Sequence, residues 1–324
     1  MKELRLAGID IGTLTCRLLI ADLSPSGPLK ELHSERRILR LGEGVDRSKR
    51  LRPEAMDRVM HCLKEWRTVI DGYHVHACTA VATSAVRDSE NRQEFLDRVK
   101  VEAGMEVETL TGEEEARRMM LGIRSGLPPH VNDVLALDIG GGSIEFVVAQ
   151  RGQPLLVHSI DIGVVRLSER VLHHDPPTKE EIQRARKWIR RETAMLSALR
   201  TRIAGAAFVG TAGTITSLAA MAQRLPAYEP SRIHNYRLTL DTIADLEQQL
   251  LTRTKAERAG MPGLENDRED VIAAGAIIVR TVMETLGERV CLVSDLGLRE
   301  GVLLDLARRN SRDSFTECFN EHRP

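Results

Sequence analysis

Apolar positions along the chain fall into short runs whose spacing switches between strand-like and helix-like. The run 134-VLAL-137 ends in an acid, Asp138, turns through Gly140, Gly141 and Gly142, and resumes as 144-IEFVVA-149. This pattern predicts a β-hairpin with an unusually glycine-rich turn. The opening of the chain repeats it without a gap, since 10-DIGTLTCRLLIA-21 lies over 138-DIGGGSIEFVVA-149 at an offset of 128 residues. Each copy is an apolar strand, Asp-Ile-Gly, a turn of small or hydroxyl residues, and a second apolar strand. Two copies predict two related domains that face one another.

The rest of the chain alternates in the same way. After the basic stretch 36-RRILRLGEGVDRSKRLR-52, expected as a loop, Pro53 opens and Gly72 closes a helix. A strand within 74–84, a helix from Ser89 to Ala103 and a strand at 106–110 lead to a helix start at 112-GEEEARRMM-120. The paired prolines of 126-GLPPHVND-133 mark a linker. Thr178 and Glu181 form a capping box for a helix reaching Ile203, and a strand then enters 209-VGTAGTITSLAA-220. Helices near 241–253 and 268–286, a strand at 290–294 and a last helix complete the pattern. Strands and helices in alternation predict an α/β fold. The expected division is an N-terminal lobe over 1–127, a C-terminal lobe over 128–300, and a helix over 301–324 packing back on the first lobe.

Composition narrows the function. At 324 residues and 36.1 kDa the chain is long enough for two domains. An aromatic content of 3% provides no base-stacking platform, so nucleic acid is not expected as a partner. The net charge of −1 supplies no overall field, so a phosphate substrate must meet a local positive groove. Cys16, Cys62, Cys78, Cys291 and Cys318 are odd in number and lack CxxC spacing, which fits reduced thiols and a cytoplasmic location. Asp10 and Arg17 interrupt the apolar N-terminal stretch, so no membrane association is expected.

The turns carry the candidate chemistry. Glycines admit close approach of backbone N–H groups to a ligand, which makes an anion cradle of Gly12 and of Gly140, Gly141 and Gly142. Thr13, Thr15 and Ser143 add hydroxyl donors. Asp10 and Asp138 would repel a phosphate unless a divalent cation lies between, and hard carboxylate oxygens suit Mg²⁺. A further turn, Gly210-Thr211-Ala212-Gly213-Thr214, opens a helix whose N–H groups favour anions. On residue type alone, Glu113, Glu114 and Glu115 are acids favouring a helix N-terminus. His173-His174-Asp175 lacks companion ligands at zinc spacing. The basic residues Arg36, Arg37, Arg40, Lys49, Arg50 and Arg52 line either a solvated loop or a channel for a polyanion.

With the DIG repeat, 40-RLGEG-44, 83-TSAVRDSENR-92, GEEEAR, GTAGT, 262-PGLENDREDVIAAG-275 and 295-DLGLREG-301 in this order, the chain resembles the exopolyphosphatase/guanosine pentaphosphate phosphohydrolase family in its short form. The resemblance implies two ribonuclease-H-like lobes of the actin, heat-shock-70 and sugar-kinase superfamily flanking a cleft. It implies Mg²⁺-dependent release of terminal phosphate from inorganic polyphosphate, and it extends to a homodimer. By the same resemblance Glu115 is the catalytic base, Glu145 and Asp138 are acids around the metal and the attacking water, and Arg87 binds phosphate. Gly140 to Ser143 and Gly210 to Thr214 match the phosphate loops. One position departs: the family's asparagine in the first turn is Leu14 here, which removes a side-chain donor. Guanosine pentaphosphate hydrolysis, an ATP-dependent activity of the same superfamily, and a non-catalytic sensor of polyphosphate or alarmone stay open as alternatives.

Overall fold

The computed structural model describes residues 4–24, 29–150, 153–200 and 205–320. The first half runs β1 (Leu4–Ile11), β2 (Thr15–Leu23), β3 (Lys30–Ile38), α1 (Val45–Ser48), α2 (Pro53–Gly72), β4 (Ala77–Ala82), α3 (Ser84–Arg87), α4 (Arg92–Ala103), β5 (Val107–Thr109) and α5 (Gly112–Gly126). The second runs β6 (Val134–Ile139), β7 (Ile144–Gln150), β8 (Gln153–Ile160), α6 (Val164–Val171), α7 (Lys179–Arg200), β9 (Ala207–Thr211), α8 (Ala212–Ala222), α9 (Pro230–Ile233), β10 (Arg237–Thr239), α10 (Leu240–Leu251), α11 (Lys255–Arg258), α12 (Ile272–Leu286), β11 (Val290–Val293) and α13 (Leu298–Asn320).

The first sheet has strand order β3-β2-β1-β4-β5, with an antiparallel meander on one side and parallel crossovers on the other. The second repeats it as β8-β7-β6-β9-β11 and adds β10 antiparallel at its edge. The hairpin repeat is thus the start of a longer one, and each sheet has the ribonuclease-H-like arrangement. Burial on both faces of β6 explains the near-continuous apolar run at 134–137.

Helix α2 starts on Pro53 and buries Met56, Val59, Met60, Leu63, Trp66 and Ile70, an i, i+3, i+4 stripe that rests on the first sheet. α7, α8, α10 and α12 cover one face of the second sheet with a separate core. A third cluster lies between the sheets, where Met119, Met120 and Ile123 of α5 and Val302 of α13 meet Val134, Val147 and Val209. The helices cross at glycines because nothing larger fits: a Cβ at Gly122 would come 1.9 Å from the Gly297 carbonyl oxygen, and one at Gly301 1.7 Å from that of Arg118. Leu303 of α13 then packs on Leu6, Leu19 and Ala21, on the face of the first sheet opposite α2.

Several expectations need correction. Arg36 and Arg37 lie on β3, not in a loop; its sequence KELHSERRI is charged because it is an edge strand. α4 starts at Arg92 and not Ser89, since Ser84–Arg87 forms its own turn of helix and the Asn91 side chain binds the backbone of Leu51. α12 starts at Ile272, not 268. The expected end of α7 at Ile203 lies outside the described residues. Among the described residues, no helix is long and apolar enough to cross a membrane.

Candidate active site

The two hairpin turns meet across the gap between the sheets. Each is closed by the same hydrogen bond, Gly12 N to Thr15 O at 2.9 Å and Gly140 N to Ser143 O at 3.0 Å. A Cβ at Gly141 would lie 2.8 Å from Thr13 Cβ, and one at Gly142 would lie 2.4 Å from Ser84 Oγ. Glycine is required because the first turn and the start of α3 press against the second. Thr13 Oγ1 and Ser84 Oγ share a hydrogen bond of 2.8 Å at this contact. Leu14 enters the second lobe's apolar cluster while its carbonyl accepts from the N–H groups of Leu39 and Arg40. Leu14 therefore ties the first turn to the core of the second sheet.

The turns enclose a cavity of about 70 Å³ whose wall includes Asp10, Thr15, Arg17, Glu115, Asp138 and Arg268. Gly12, Thr13, Gly140, Gly141, Ser143, Gly213 and Thr214 also line it. At its far side, α8 begins without a side-chain cap, so its first N–H groups stay available. The Thr211 hydroxyl instead donates to the Leu296 carbonyl at 3.0 Å. Gly210 lies inside β9, where a Cβ would meet Cys291 Sγ at 2.7 Å, and it is not part of the wall.

The three acids at the start of α5 do three different things. Glu114 closes a capping box with Thr111. Glu113 is exposed beside Arg117. Glu115, one residue further round the helix, points inward, where it is 9% exposed and accepts from Arg87 Nη1 at 3.0 Å. Arg87 is fixed in turn by the Leu110 carbonyl at 2.9 Å. Glu145 is 1% exposed, pairs across the strands with Asp138, and accepts from Ser159 Oγ at 2.9 Å. A Cβ at Gly112 would come 2.6 Å from Ser159 Cβ, so one serine seats both Glu145 and the helix that presents Glu115.

Burial dominates the acid–base behaviour. Removal from water, and then the charge of Glu145, push Glu115 well above the usual carboxylate range, with Arg87 opposing. Burial and then Asp138 raise Glu145 to about 7, against hydrogen bonds from Ser143 and Ser159. Burial raises Asp10 and Asp138 to about 6, with Arg17 as the leading opposing charge in each case.

Among the described residues, no group of three or more His, Cys, Asp or Glu side chains forms a closed metal cage. Mg²⁺ does not need one, since it takes one or two carboxylates and fills its shell with water and substrate oxygens. Asp10 Oδ1 is buried without a hydrogen-bond partner. A divalent cation there would satisfy that atom and ease the burial of two carboxylates, so the donor set fits Mg²⁺.

Two wall residues escaped the sequence reading. Arg17 faces Asp10 across the first hairpin and has a buried Nε without a partner; the repeat carried the signal, because Arg17 aligns with Glu145. Arg268 lies inside the quoted PGLENDREDVIAAG segment, but no role was attached to it. The His173-His174-Asp175 cluster is structural: His174 Nδ1 contacts Glu181 at 2.8 Å, and Asp175 pairs with Arg258 at 2.6 Å.

Comparison with known proteins sharpens this geometry. The sequence model of the Ppx/GppA phosphatase family matches residues 19–310. Exopolyphosphatase 2 of Mycobacterium tuberculosis is 37% identical over 325 residues, covering 95% of this chain and 100% of that protein. The crystal structure of the Aquifex aeolicus Ppx/GppA family member superposes with a TM-score of 0.81 at 35% identity, covering 95% of this chain and 99% of that one. An exopolyphosphatase structure from Cytophaga hutchinsonii gives a TM-score of 0.86 at 30% identity, over 93% and 97% of the two chains.

Proposed function

The chain belongs to the Ppx/GppA phosphatase family, and from that premise we propose that it is an exopolyphosphatase, releasing orthophosphate from the end of inorganic polyphosphate. The observation that carries this reading is the inward-facing Glu115, held by Arg87 at the wall of a cavity built from two phosphate-type turns.

The terminal phosphate would lie between the turn N–H groups of Gly140 to Ser143 and the open start of α8, with Thr13 and Thr15 on the opposite side. Glu115 takes the proton of a water in line with the terminal phosphorus, and Arg87 holds that carboxylate in place and balances its charge. Glu145, fixed by Ser159, orients the same water from the second sheet. Asp10 and Asp138 would hold Mg²⁺, which supplies positive charge to neutralise the phosphoryl oxygens. Phosphoryl transfer consists mostly of positioning and electrostatics, so these parts suffice.

The test is phosphate release by the purified protein with Mg²⁺ from long polyphosphate, short polyphosphate, guanosine pentaphosphate and ATP at matched terminal-phosphate concentration. Release mainly from polyphosphate is expected. Glu115→Gln is expected to lower kcat by about 10²–10⁴-fold while polyphosphate still binds; a variant that keeps full turnover would remove Glu115 from the mechanism. Guanosine pentaphosphate is the second reading, favoured by an adjoining cavity of about 500 Å³ that contains the Tyr228 ring. Preferential release from that nucleotide would select it.

A further inference from the structure

Where the two cavities adjoin, two guanidinium groups, those of Arg268 and Arg36, bind one carboxylate, Glu265, and a third, that of Arg17, lines both cavities. Arg268 forms part of the inner wall beside Gly213, where a Cβ would come 2.3 Å from its guanidinium, and its side chain is 4% exposed. Its Nε donates to Glu265 Oε2 at 2.6 Å. The other oxygen of Glu265 accepts from Arg36 Nη2, which reaches over from β3 of the opposite sheet. Arg36 lines the outer cavity, with its guanidinium 5.3 Å from the centre of the Tyr228 ring. Burial lowers the Arg268 pKa, Glu265 opposes this, and the charges of Arg36 and Arg17 add to the lowering, which places all three cations within electrostatic reach.

Like charges this close need a counter-ion. Glu265 supplies one, and its 30% side-chain exposure leaves it a solvated side onto which it can be displaced. A chain of phosphates running from the inner cavity to the outer would bring several negative charges to the same place and form bidentate contacts that a single carboxylate cannot match. We infer that Glu265 is a built-in counter-ion on the arginines that take the trailing phosphates of a linear polyphosphate, so that substrate displaces it and it sets the affinity for chains long enough to span both cavities. The inference rests on the polyphosphate reading for its ligand, though not on hydrolysis.

A second ion pair across the same gap provides the control. Arg40 Nη1 donates to Asp270 Oδ2 at 2.7 Å, and neither residue lines either cavity. Equilibrium binding of pyrophosphate and of long-chain polyphosphate is measured by calorimetry in EDTA, for wild type, Glu265→Gln and Asp270→Asn. Glu265→Gln is expected to bind the long chain roughly tenfold more tightly, with a steeper salt dependence, and pyrophosphate within about twofold of wild type. Glu265→Ala, which removes both acceptors, is expected to do the same, and Asp270→Asn is expected to match wild type. Equal tightening by Asp270→Asn would show that lobe opening is responsible and overturn the inference. Unchanged or weaker long-chain binding by both Glu265 variants would also overturn it, as would no polyphosphate binding by any of the proteins. Binding that behaves as expected, in a wild type that releases no phosphate with Mg²⁺, would defeat the exopolyphosphatase reading and leave this inference standing.

Discussion

At one equivalent position the two hairpins carry opposite charges: Arg17 faces Asp10 in the first, and Glu145 faces Asp138 in the second. The strand pairing, the acid at the strand end and the hydrogen bond that closes the turn are alike in both. The first hairpin therefore presents a cation beside its acid, and the second presents a pair of acids. A duplicated cradle thereby acquires direction, with phosphate-attracting charge on one side and proton-accepting groups on the other. The turns also diverge, since Leu14 anchors the first in its neighbour's core while glycines let the second pack closely against Thr13 and Ser84.

Removing the acid should break this contrast most severely. Glu145→Gln is expected to cost about 10²–10³-fold in kcat with a small change in KM, whereas Arg17→Ala is expected to raise KM more than it lowers kcat. Steady-state kinetics on both variants checks this, and the same kcat–KM pattern for the two would mean that the hairpins are not specialised.

Next in size is a pH effect in the absence of metal. Asp10 and Asp138 titrate at about 6 and Glu145 at about 7, all above their unfolded values. Between the ordinary carboxylate range and about pH 7 the folded protein thus holds more protons than the unfolded chain. Stability contributed by these groups is full at the acidic end and is lost as pH rises through their folded-state values. Denaturant midpoints in EDTA should fall from pH 5 to pH 8, and saturating Mg²⁺ should flatten the trend. A trend that rises in EDTA would contradict the burial of these acids.

The smallest effect concerns the turn itself. Gly141→Ala places a methyl group against Thr13 and should cost about 1–3 kcal/mol, while Gly140→Ala, whose Cβ would meet only the Ser143 carbonyl oxygen at 3.2 Å, should cost less. Equal losses in thermal unfolding would remove the close contact between turns as the reason for the glycines.

Much of the architecture was legible because it is written locally. The hairpin repeat, Pro53 at its helix start and the Thr178–Glu181 capping box are short-range signals, and each appears in the structure. β3 was missed because an edge strand exposes charge and reads as a loop. The site was legible only in part, for a different reason. Three adjacent glutamates cannot be told apart until α5 is placed, because their roles depend on which face of the helix meets the second sheet. Likewise, Arg268 and Glu265 belong to a constellation completed by Arg36, which comes from the other end of the sequence and enters through tertiary folding alone. Gly210 shows the converse: a motif glycine that serves strand packing.

The placement of α13 also has a consequence for biosynthesis. The face of β1 and β2 that carries Leu6, Leu19 and Ala21 is synthesised long before its cover, Leu303 of α13. A growing chain therefore leaves that apolar strip bare until α13 has emerged from the ribosome. That sheet is sealed only once α13 has emerged, which makes the nascent first half a natural client for chaperones and makes loss of α13 a lesion of the first sheet.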